Sequence, residues 1–423
     1  MTVLLIGSGG REHAILQAIA KNKAITKIYA LPGNGGMADL AVCVPIKATD
    51  IDGILAFAAA HAVDFAIPAA DDPLCLGVVD ALQAIGVPCF GPTKAAAQIE
   101  GSKVFAKRLM QKYNIPTAAY AAFEDFEAAR AYLREKNTYP IVVKADGLAL
   151  GKGVVIAQDE TEAITTLRSM FLDGKFGASG NRVVIEEFLT GPEVSVLSFC
   201  DGKTIVPMVS SMDHKRARDG DTGLNTGGMG TIAPNPYYTT AIAAVCVRDI
   251  FLPTVKAMQS EGAPFKGCLY FGLMLTPNGP KVIEYNCRFG DPETQVVLPL
   301  LETDLFTIMR AVAEARLDEI DVRWKQGAAC CVIAASGGYP ERYEVGKPIT
   351  IGDTGGALLF HAGTKLDGGA LTTSGGRVLG VTQVESALSD AIAGAYEAMR
   401  HVQFDGMYYR KDIGRKALTA DET

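Results

Sequence analysis

Residues 141–157 read IVVKADGLALGKGVVIA, an apolar run that becomes polar at Lys144, passes several glycines and then turns apolar again. The two short flanks are rich in β-branched residues, which predicts a strand, a glycine-rich loop and a second strand. Glycines let backbone N–H groups surround an anion because no Cβ blocks the approach, and Lys144 and Lys152 favour phosphate as that anion. The stretch predicts a hairpin lid over a triphosphate, although an ordinary hairpin with solvated lysines has the same pattern.

This stretch differs from two common phosphate loops. A Walker A loop has a glycine and then a Ser or Thr at the positions held here by Asp146 and Gly153, and a helix follows it rather than a strand. In protein kinases the glycine-rich loop precedes the strand that carries the lysine, whereas Lys144 comes first here. The lysine on the incoming strand therefore favours a different class of nucleotide site.

Glu284 and Asn286 lie in KVIEYNCRFGDPETQ, residues 281–295. Positions i and i+2 of a strand share a face, so both side-chain oxygens can reach one hard cation while Tyr285 points away. One carboxylate and one amide suffice for Mg²⁺ that takes its other ligands from phosphates and water. Arg288 extends the same face and can neutralise a transferring phosphoryl group. A strand with solvent-facing polar residues is the alternative.

The N-terminal stretch GSGGREHA, residues 7–14, lies between a predicted strand and a predicted helix. It is not a dinucleotide fingerprint, because Glu12 replaces the third glycine and no acidic residue ends the second strand. We expect the N–H groups at this helix N-terminus to be free for a phosphate or carboxylate, with PGNGG at residues 32–36 as the opposite wall. Tight turns without a ligand are the alternative.

The polar stretch SSMDHKRARDGDTGLNTGGMG, residues 210–230, predicts a long unstructured loop, which is uncommon inside a domain unless it is functional. Its basic start suits an anionic substrate and leaves Asp213 for an ammonium group. A mobile solvated loop is the alternative.

VVIEEFLTGPE, residues 183–193, predicts a strand that ends in two acids. Its backbone suits the edge of a purine, and Glu193 suits the ribose hydroxyls. A strand that simply reaches the surface explains the pattern equally well.

Length and residue pattern predict an α/β and α+β multidomain chain of about three domains. The first section alternates as βαβαβ and predicts a small parallel sheet, with a last strand near residues 87–90. The second opens on a capped helix and carries the glycine-rich hairpin, and the third is rich in β signals. The expected domains are 1–100, 101–325 with a mobile lid at about 119–192, and 326–423.

Charge, apolar runs and cysteine spacing indicate the class of protein and its cellular compartment. The net charge of −7 argues against a broad nucleic-acid surface, and no apolar run reaches membrane-spanning length. The N-terminus lacks the basic segment of a signal peptide, and the nine cysteines are never spaced as CxxC. Reduced thiols in a cytoplasmic protein are the plain interpretation. A monomer is the expected oligomeric state.

Taken in order, these motifs resemble the ATP-grasp superfamily: a strand lysine, a glycine-rich hairpin, a hinge strand, then acid-x-Asn on a later strand. The likeness extends to the phosphoribosylamine–glycine ligase family, whose signatures it matches over essentially the whole chain. The matching blocks are GSGGREHA, PGNGG, GPTKAAAQIEGSK, KADGLALGKGVV, IEEFL, DHKRARDGDTGLNTGGMG, EYNCRFGDPETQ, HAGTKLDGGALTTSGGRVLGVT and YYRKDIGRKAL.

The resemblance implies ligation of glycine to 5-phosphoribosylamine in purine synthesis, with ATP as a substrate and Mg²⁺ or Mn²⁺ as the metal. It implies Glu284 and Asn286 as metal ligands and Arg288 and Lys144 as catalytic residues. The implied ATP contacts are Lys103, Lys144, Gly151, Lys152, Gly153, Glu186, Glu187, Leu189 and Glu193. The implied contacts to glycine and the amine substrate are Gly9, Gly10, Asp71, Asp213, Arg288 and Arg410.

Two departures from the family pattern bear on detail. AADDPL at residues 69–74 places Asp71 where the family usually has a glutamate, so the carboxylate at that pocket contact is shorter by one methylene. The strand before Glu284 reads LYFGLML and offers no further metal carboxylate, so bound phosphates must complete the metal shell.

Three other functions compete with this one. An NAD-dependent dehydrogenase is disfavoured because Glu12 replaces the third glycine of the dinucleotide motif and because no acidic residue ends the second strand. A biotin-dependent carboxylase shares the hairpin and the metal strand but is not expected to end in YRKDIGRKAL. A regulatory protein that binds nucleotide without catalysis is expected to have lost one of Glu284, Asn286, Lys144 or Arg288, and all four are present.

Overall fold

The computed structural model describes residues 1–148, 153–173 and 177–419. The N-terminal section forms the predicted parallel sheet, in the order β3-β2-β1-β4. Its elements are β1 (Thr2–Gly7), α1 (Gly10–Ile19), β2 (Lys27–Pro32), β3 (Val42–Cys43), α2 (Ile51–Ala60), β4 (Phe65–Pro68), α3 (Asp71–Leu76), α4 (Val78–Ala84) and α5 (Lys94–Gly101). The strand predicted near residues 87–90 is wrong in extent: it is a single parallel bridge between Ala66 and Cys89. Pro88, which has no N–H, leaves little for a longer ladder.

A second, small sheet carries the glycine-rich hairpin, in the order β5-β8-β6-β7. Strands β6 and β7 pair antiparallel with Lys144 opposite Val154, which confirms the hairpin; its loop positions Gly151 and Lys152 lie outside the described residues. The elements are α6 (Lys103–Lys112), β5 (Tyr120–Phe123), α7 (Phe126–Lys136), β6 (Ile141–Ala145), β7 (Val154–Ala157), α8 (Glu160–Phe171), a 3₁₀ turn (Gly177–Asn181) and β8 (Val183–Glu187).

The capped helix predicted at the start of this section is confirmed by its own hydrogen bond. The Ser102 hydroxyl accepts from the Phe105 N–H at 3.1 Å and begins α6. A serine at this position satisfies one of the N–H groups that a helix leaves unpaired.

A third sheet forms the floor of the central section, with antiparallel strands in the order β10-β9-β15-β16. Up to β16 the elements are β9 (Glu193–Asp201), β10 (Ile205–Pro207), β11 (Met212–Asp213), β12 (Arg216–Arg218), a 3₁₀ turn (Asp219–Asp221), β13 (Thr222–Asn225), β14 (Gly230–Ala233), α9 (Thr240–Cys246), a π turn (Val247–Phe251), α10 (Leu252–Ser260), β15 (Lys266–Thr276) and β16 (Gly279–Asn286). After β16 come α11 (Thr294–Val297), α12 (Leu305–Ala313) and 3₁₀ turns at Leu298–Leu300 and Leu317–Glu319.

The last sheet has the order β11-β14-β17-β22-β19, and β24 pairs with β17. It confirms the β-rich C-terminal section. The remaining elements are β17 (Ala328–Ser336), β18 (Thr350–Ile351), β19 (Leu358–His361), β20 (Thr364–Asp367), β21 (Ala370–Thr373), β22 (Arg377–Glu385), α13 (Leu388–Met399), β23 (Val402–Gln403), β24 (Met407–Tyr408) and α14 (Arg415–Leu418).

The polar stretch at residues 210–230 is not the unstructured loop that the sequence predicts. It forms β11 to β14, and two of these strands join the C-terminal sheet, where β14 pairs with β17. After β10 the chain therefore leaves the floor sheet, contributes β11 and β14 to the last sheet, and returns to the floor sheet at β15. The pairing of β14 with β17, about a hundred positions away, and the local pairing of β12 with β13 outweigh the low strand propensity of this glycine-rich segment.

All nine cysteines of the sequence lie in the described part of the chain as free thiols. Among the described residues, no helix combines the length and the apolar composition that a membrane crossing requires.

Two neighbouring histidines, the buried His13 and the half-buried His361, join the N-terminal helix α1 to strand β19. The backbone N–H of His361 donates to Nδ1 of His13 at 2.8 Å, and the two ring centroids lie 5.3 Å apart, edge to face. Burial, together with the neighbouring His361, lowers the pKa of His13 to about 3. Burial also lowers the pKa of His361 to about 4. The folded protein therefore keeps both rings neutral.

We expect these histidines to make stability depend on pH. A pKa depressed on folding gives stability that is complete above the unfolded value near 6.5 and is lost as the pH falls towards 3 or 4. Each ring contributes a slope of about 1.4 kcal/mol per pH unit in that window. In urea unfolding between about pH 7 and pH 5, His13→Gln should show a shallower loss of stability than the wild type. The exposed-histidine control His401→Gln should keep the wild-type slope; equal slopes for His13→Gln and wild type would contradict the prediction.

Candidate active site

The predicted metal ligands lie on one face of strand β16. Glu284 and Asn286 are partly accessible, whereas Tyr285 between them is buried in the core and its hydroxyl lies 2.9 Å from the Thr254 hydroxyl. This confirms the predicted alternation. A bulge in the pairing of β15 with β16 lies beside Glu284, at the step from Gly272 to Leu273. Such bulges re-aim side chains and backbone groups at functional sites.

Glu284 is surrounded by positive charge. Burial raises the pKa of its carboxyl, but Lys215, Lys144, Lys103 and Arg288 outweigh that effect and hold the pKa below its usual range. The Lys215 ammonium lies 3.5 Å from the Glu284 carboxylate. Glu284 is therefore ionised at neutral pH, as a metal ligand must be.

The two predicted phosphate lysines meet Glu284 from different elements. Lys144 on β6 donates to the carbonyl oxygen of Ile283, the residue before Glu284, at 3.2 Å. Lys103, at the start of α6, donates to the carbonyl oxygen of Gly147 at 2.9 Å, just before the glycine-rich loop. Lys144 thus contacts the strand that carries the predicted metal ligands, and Lys103, which contacts the hairpin, adds its positive charge near Glu284.

Glu186, predicted at the adenine hinge, lies between two buried lysines. Its carboxylate oxygens are 3.0 Å from the Lys144 ammonium and 3.1 Å from the Lys107 ammonium, and all three side chains are at most 6% exposed. Lys107 also donates to the Thr117 hydroxyl at 2.7 Å. A carboxylate paired twice in this way fixes the lysine of the hairpin relative to helix α6.

The other residues predicted to contact adenine and ribose lie at the end of β8 and at the start of β9. The Glu187 carboxylate accepts from Lys281 at 2.9 Å and from the Ala119 N–H at 3.0 Å, which links β8 to the lid strand β5 and to β16. Leu189 is half-buried, and the exposed Glu193 begins β9. The backbone carbonyl of Gly153 accepts from the Ala145 N–H at 2.8 Å and closes the described end of the hairpin.

A cleft lies over the floor sheet. Glu193, Asp213 and Glu284, three residues that the sequence assigns to three different ligands, all line it. Lys215 and Tyr270 complete its polar wall.

Asp213 faces a second buried carboxylate at one end of this cleft. Burial and the neighbouring Glu293 raise the pKa of Asp213 well above its usual range, and Lys215 and Arg377 only partly oppose this effect. Glu293 accepts from the Tyr270 hydroxyl at 3.1 Å. Two carboxylates held together in this way are stabilised by an added cation, so the pair suits an ammonium group.

Arg288 joins the floor sheet to the N-terminal section. Its guanidinium lies 2.7 Å from the Glu100 carboxylate and 3.6 Å from Asp71. Burial alone raises the pKa of Asp71, but the Arg288 and Arg11 guanidinium groups outweigh it and lower that pKa. The second oxygen of Glu100 accepts from the Cys287 N–H at 2.7 Å, which fixes the start of the turn that follows β16.

At the helix N-terminus around Gly9 and Gly10, where the sequence predicts free N–H groups, two N–H groups are directed at carboxylates of the protein itself. The Gly9 N–H donates to the Glu12 carboxylate at 2.7 Å, and the Arg11 N–H points at Asp291 at 3.5 Å. The same Glu12 that breaks the dinucleotide pattern thus caps the helix itself. Both glycines pack closely against the turn after β16, where a Cβ on Gly10 would lie 2.6 Å from the Gln295 amide nitrogen.

Arg410 lies in an ion-pair cluster of the C-terminal section. It is almost completely buried and contacts Asp412 at 2.8 Å and Asp221 at 2.9 Å. It also donates to the Arg216 carbonyl oxygen at 3.1 Å. These contacts hold the β12–β13 hairpin, and the predicted substrate contact of Arg410 stays a prediction.

Sequence reasoning gave no individual role to four residues of this region: Lys107, Glu100, Glu293 and Lys215. Lys107 lies four residues after Lys103 and so one helical turn away, a spacing that could have revealed it. Glu100 and Glu293 contact their partners only after the chain has folded, so local spacing gave no signal. Lys215 stood in a recognised basic cluster, but nothing in the sequence separated it from Arg216 and Arg218.

The chain is similar to proteins of a known family over most of its length. The family models of phosphoribosylglycinamide synthetase match residues 1–100 (N domain), 101–294 (ATP-grasp (A) domain) and 329–416 (C domain). The phosphoribosylamine–glycine ligase of Halalkalibacterium halodurans is 48% identical over 99% of this chain and 97% of its own length. That of Rhizobium meliloti is 46% identical over the full length of both chains, 100% each.

Solved structures show the same fold. The crystal structure of the Thermotoga maritima phosphoribosylamine–glycine ligase superposes with a TM-score of 0.86, at 34% identity, covering 98% of this chain and 100% of that one. The biotin carboxylase domain of a Hydrogenobacter thermophilus 2-oxoglutarate carboxylase, solved with MgADP and bicarbonate, gives a TM-score of 0.75 at 16% identity, over 96% of this chain and 91% of that one. The second likeness shows the fold alone. With the family models and the full-length relatives, the chain belongs to the phosphoribosylglycinamide synthetase family of ATP-grasp enzymes.

Proposed function

We propose that this ATP-grasp ligase joins glycine to 5-phosphoribosylamine, giving glycinamide ribonucleotide, ADP and phosphate through a glycyl phosphate intermediate. The observation that carries the proposal is that the positive charges of Lys103, on a helix, and Lys144, on a lid strand, act on Glu284, a floor-strand residue that lines the cleft. Family membership supports the overall reaction, and the cleft supports its chemistry.

Lys103 and Lys144 bind the phosphates of ATP in this proposal, and the lid loop that includes Gly151, Lys152 and Gly153 covers them. Glu186, Glu187 and Leu189 form the edge that receives adenine, and Glu193 receives the ribose. The support is positional: the lysines lie at the loop end of the hairpin, and Glu193 lies at the mouth of the cleft. Lysine is well suited to phosphate because its compact charge can follow a moving phosphoryl group.

Glu284 and Asn286 would hold the divalent metal, for which we keep both Mg²⁺ and Mn²⁺. The donor set fits: it offers two hard oxygens on one strand face, with one carboxylate kept ionised by nearby cations. When bound, such a metal neutralises charge on the phosphates and orients them.

Activation of glycine follows from the poor reactivity of a carboxylate. A carboxylate oxygen of glycine attacks the γ-phosphorus, a new P–O bond forms, and the bond from that phosphorus to the β–γ bridging oxygen breaks with its electron pair left on ADP. Lys144 and Arg288 spread the transferring charge. Asp213 receives the glycine ammonium, which its raised pKa and the nearby Glu293 support.

Amide formation completes the reaction. The amine nitrogen of 5-phosphoribosylamine attacks the acyl carbon, the C–O bond to phosphate breaks, and one amine proton ends on the leaving phosphate. Gly9, Gly10, Asp71 and Arg288 are the proposed contacts to this amine substrate, together with Arg410. The support is that Arg288, which stands beside the cleft, is tied to Asp71, and that both glycines pack on the turn that follows Arg288.

An acyl phosphate hydrolyses readily, so the site must close over it. We assign closure to the lid at about residues 119–192, within a domain at 101–325 between domains at 1–100 and 326–423. The separate small core of the lid sheet supports this division. A monomer in the cytoplasm completes the proposal, and the free thiols support a reducing compartment.

Phosphate release from MgATP tests the proposed function. We expect release that requires both glycine and freshly prepared 5-phosphoribosylamine, with one phosphate per amide formed. Release with neither substrate, or with bicarbonate in place of glycine, would reject the assignment in favour of a nucleotide hydrolase or a carboxylase.

A further inference from the structure

Tyr270 lines the cleft together with Asp213 and Glu284, the predicted contacts to glycine and to the metal. It lies on β15, and its ring runs beside Gly272, where an added Cβ would be 3.5 Å from a ring carbon. Gly272 pairs with Ser195 of the neighbouring strand β9. The buried ring therefore extends across the floor sheet, and its hydroxyl reaches the neighbouring strand.

The Tyr270 hydroxyl has two polar neighbours and one proton to donate. It lies 3.1 Å from the Glu293 carboxylate and 2.8 Å from the Ser195 hydroxyl. When Glu293 is ionised it can only accept, so the Tyr270 proton points to Glu293 and the Ser195 hydroxyl donates to the Tyr270 oxygen. Burial and the neighbouring Glu293 raise the pKa of Tyr270 well above its usual range, so the hydroxyl keeps this proton.

Glu293 meets this hydroxyl from the turn that follows β16. Its backbone carbonyl accepts from the Val296 N–H at 3.1 Å and from the Val297 N–H at 3.0 Å, which fixes the start of α11. The residue is buried, and the hydroxyls of Tyr270 and Ser195 both contact the same carboxylate oxygen, Oε1, at 3.1 and 3.4 Å. The backbone turn and these two hydroxyls together determine where the carboxylate lies.

The Glu293 carboxylate neighbours Asp213, which belongs to a different sheet. Asp213 lies on β11, and its Oδ1 accepts from the His214 N–H at 2.7 Å. Glu293 is one of the causes of the raised pKa of Asp213, after burial. Two neighbouring carboxylates repel each other, so they keep a common orientation towards an ammonium group only if the protein holds both. The His214 N–H holds Asp213, and the Tyr270 hydroxyl holds Glu293.

We propose that Tyr270 is a positioning residue for glycine, whose hydroxyl holds the Glu293 carboxylate beside Asp213 so that the two carboxylates bind the glycine ammonium together. The proposal rests on the proposed function. Tyr270 acts through Glu293 and takes no part in the transfer of the phosphoryl group. Loss of its hydroxyl therefore weakens the binding of glycine, whereas turnover at saturating glycine is kept.

The test removes single hydroxyl groups. In Tyr270→Phe we expect a KM for glycine about tenfold higher, the effect of losing one hydrogen bond to a charged group, with kcat and the dissociation constant for MgATP within about threefold of the wild type. The matched control is Tyr285→Phe on the adjacent strand β16, whose buried hydroxyl lies 2.9 Å from the Thr254 hydroxyl. It loses a comparable buried hydrogen bond and should keep the wild-type KM for glycine.

A double variant shows whether Tyr270 acts through Glu293. Glu293→Ala alone should raise the KM for glycine, and adding Tyr270→Phe should change that KM by less than about twofold, because the group to be positioned is already gone. Thermal melting checks each fold, and if Glu293→Ala does not fold, the comparison of Tyr270→Phe with Tyr285→Phe still decides.

Four results would overturn the role of Tyr270. They are an unchanged KM for glycine in Tyr270→Phe, an equal rise in Tyr285→Phe, effects that multiply in the double variant, and an affinity for MgATP that weakens as much as the KM for glycine rises. Failure of the proposed function is seen separately, in a wild type that releases no phosphate with glycine and 5-phosphoribosylamine. A normal wild type with an unchanged Tyr270→Phe variant rejects the positioning role alone.

Discussion

Glu284→Ala is expected to lower turnover by about a thousandfold or more while leaving the protein folded. The variant removes the one carboxylate on the β16 face that Lys144, Lys103 and Lys215 surround, and with it the anionic metal ligand. Glu284 is partly accessible and its partner Lys215 is not hydrogen-bonded to it, so the free energy of unfolding should fall by only about 1 kcal/mol or less. Steady-state phosphate release across a metal titration, with thermal melting in parallel, measures both effects.

A matched control is Glu397→Ala, which removes an exposed glutamate of α13 that pairs with Arg400 on the surface. It should keep wild-type turnover. Near-full activity of Glu284→Ala at limiting Mg²⁺ would show that the metal is held elsewhere, and a large loss of stability would show that the residue is primarily structural.

Lys144→Ala is expected to weaken ATP binding by about tenfold to a hundredfold, the range of one charge-assisted phosphate contact in a shielded site. The KM for glycine should change much less, because Lys144 contacts Glu186 and Ile283, whereas the predicted glycine contact Asp213 lies on β11 beside Glu293. Glu186 keeps its second ion pair, to Lys107 at 3.1 Å, so the buried carboxylate is not left alone. Calorimetric titration with MgATP and glycine kinetics at saturating ATP separate the two substrates.

The matched control is Lys256→Ala, which removes an exposed lysine of α10. This variant should leave the dissociation constant for ATP and the KM for glycine unchanged. Unchanged ATP affinity in Lys144→Ala would refute its phosphate role. An equal rise in the constants for ATP and glycine would point instead to a general collapse of the cleft around Glu186.

The residue pattern along the chain predicts the strands, caps and turns that depend only on neighbouring residues. The predicted strand Val183–Glu187 and the helix that Ser102 caps both match the structure. The shared face of Glu284 and Asn286 follows from the two-residue period of a strand alone. The hairpin around Lys144 follows from β-branched flanks and intervening glycines.

Long-range pairing explains what local pattern could not predict. Within residues 210–230, β11 pairs with β14, which itself pairs with β17 about a hundred residues later, whereas β12 and β13 pair with each other. The Gly9 N–H donates to the Glu12 carboxylate, and this capping contact depends on the geometry of the turn. Lys215 meets Glu284 although 69 positions separate them in sequence, and only the folded sheet brings them together.

Transfer of oxygen from glycine to phosphate tests the central claim most directly, namely that this cleft activates glycine by phosphoryl transfer. With glycine labelled by ¹⁸O in both carboxylate oxygens, a glycyl phosphate intermediate leaves one labelled oxygen in the amide and delivers the other to the released phosphate. We predict one ¹⁸O per phosphate, formed only when ATP, the divalent metal, glycine and 5-phosphoribosylamine are all present. Phosphate that carries no label would contradict the account, because it would mean that ATP is cleaved without activation of the glycine carboxylate.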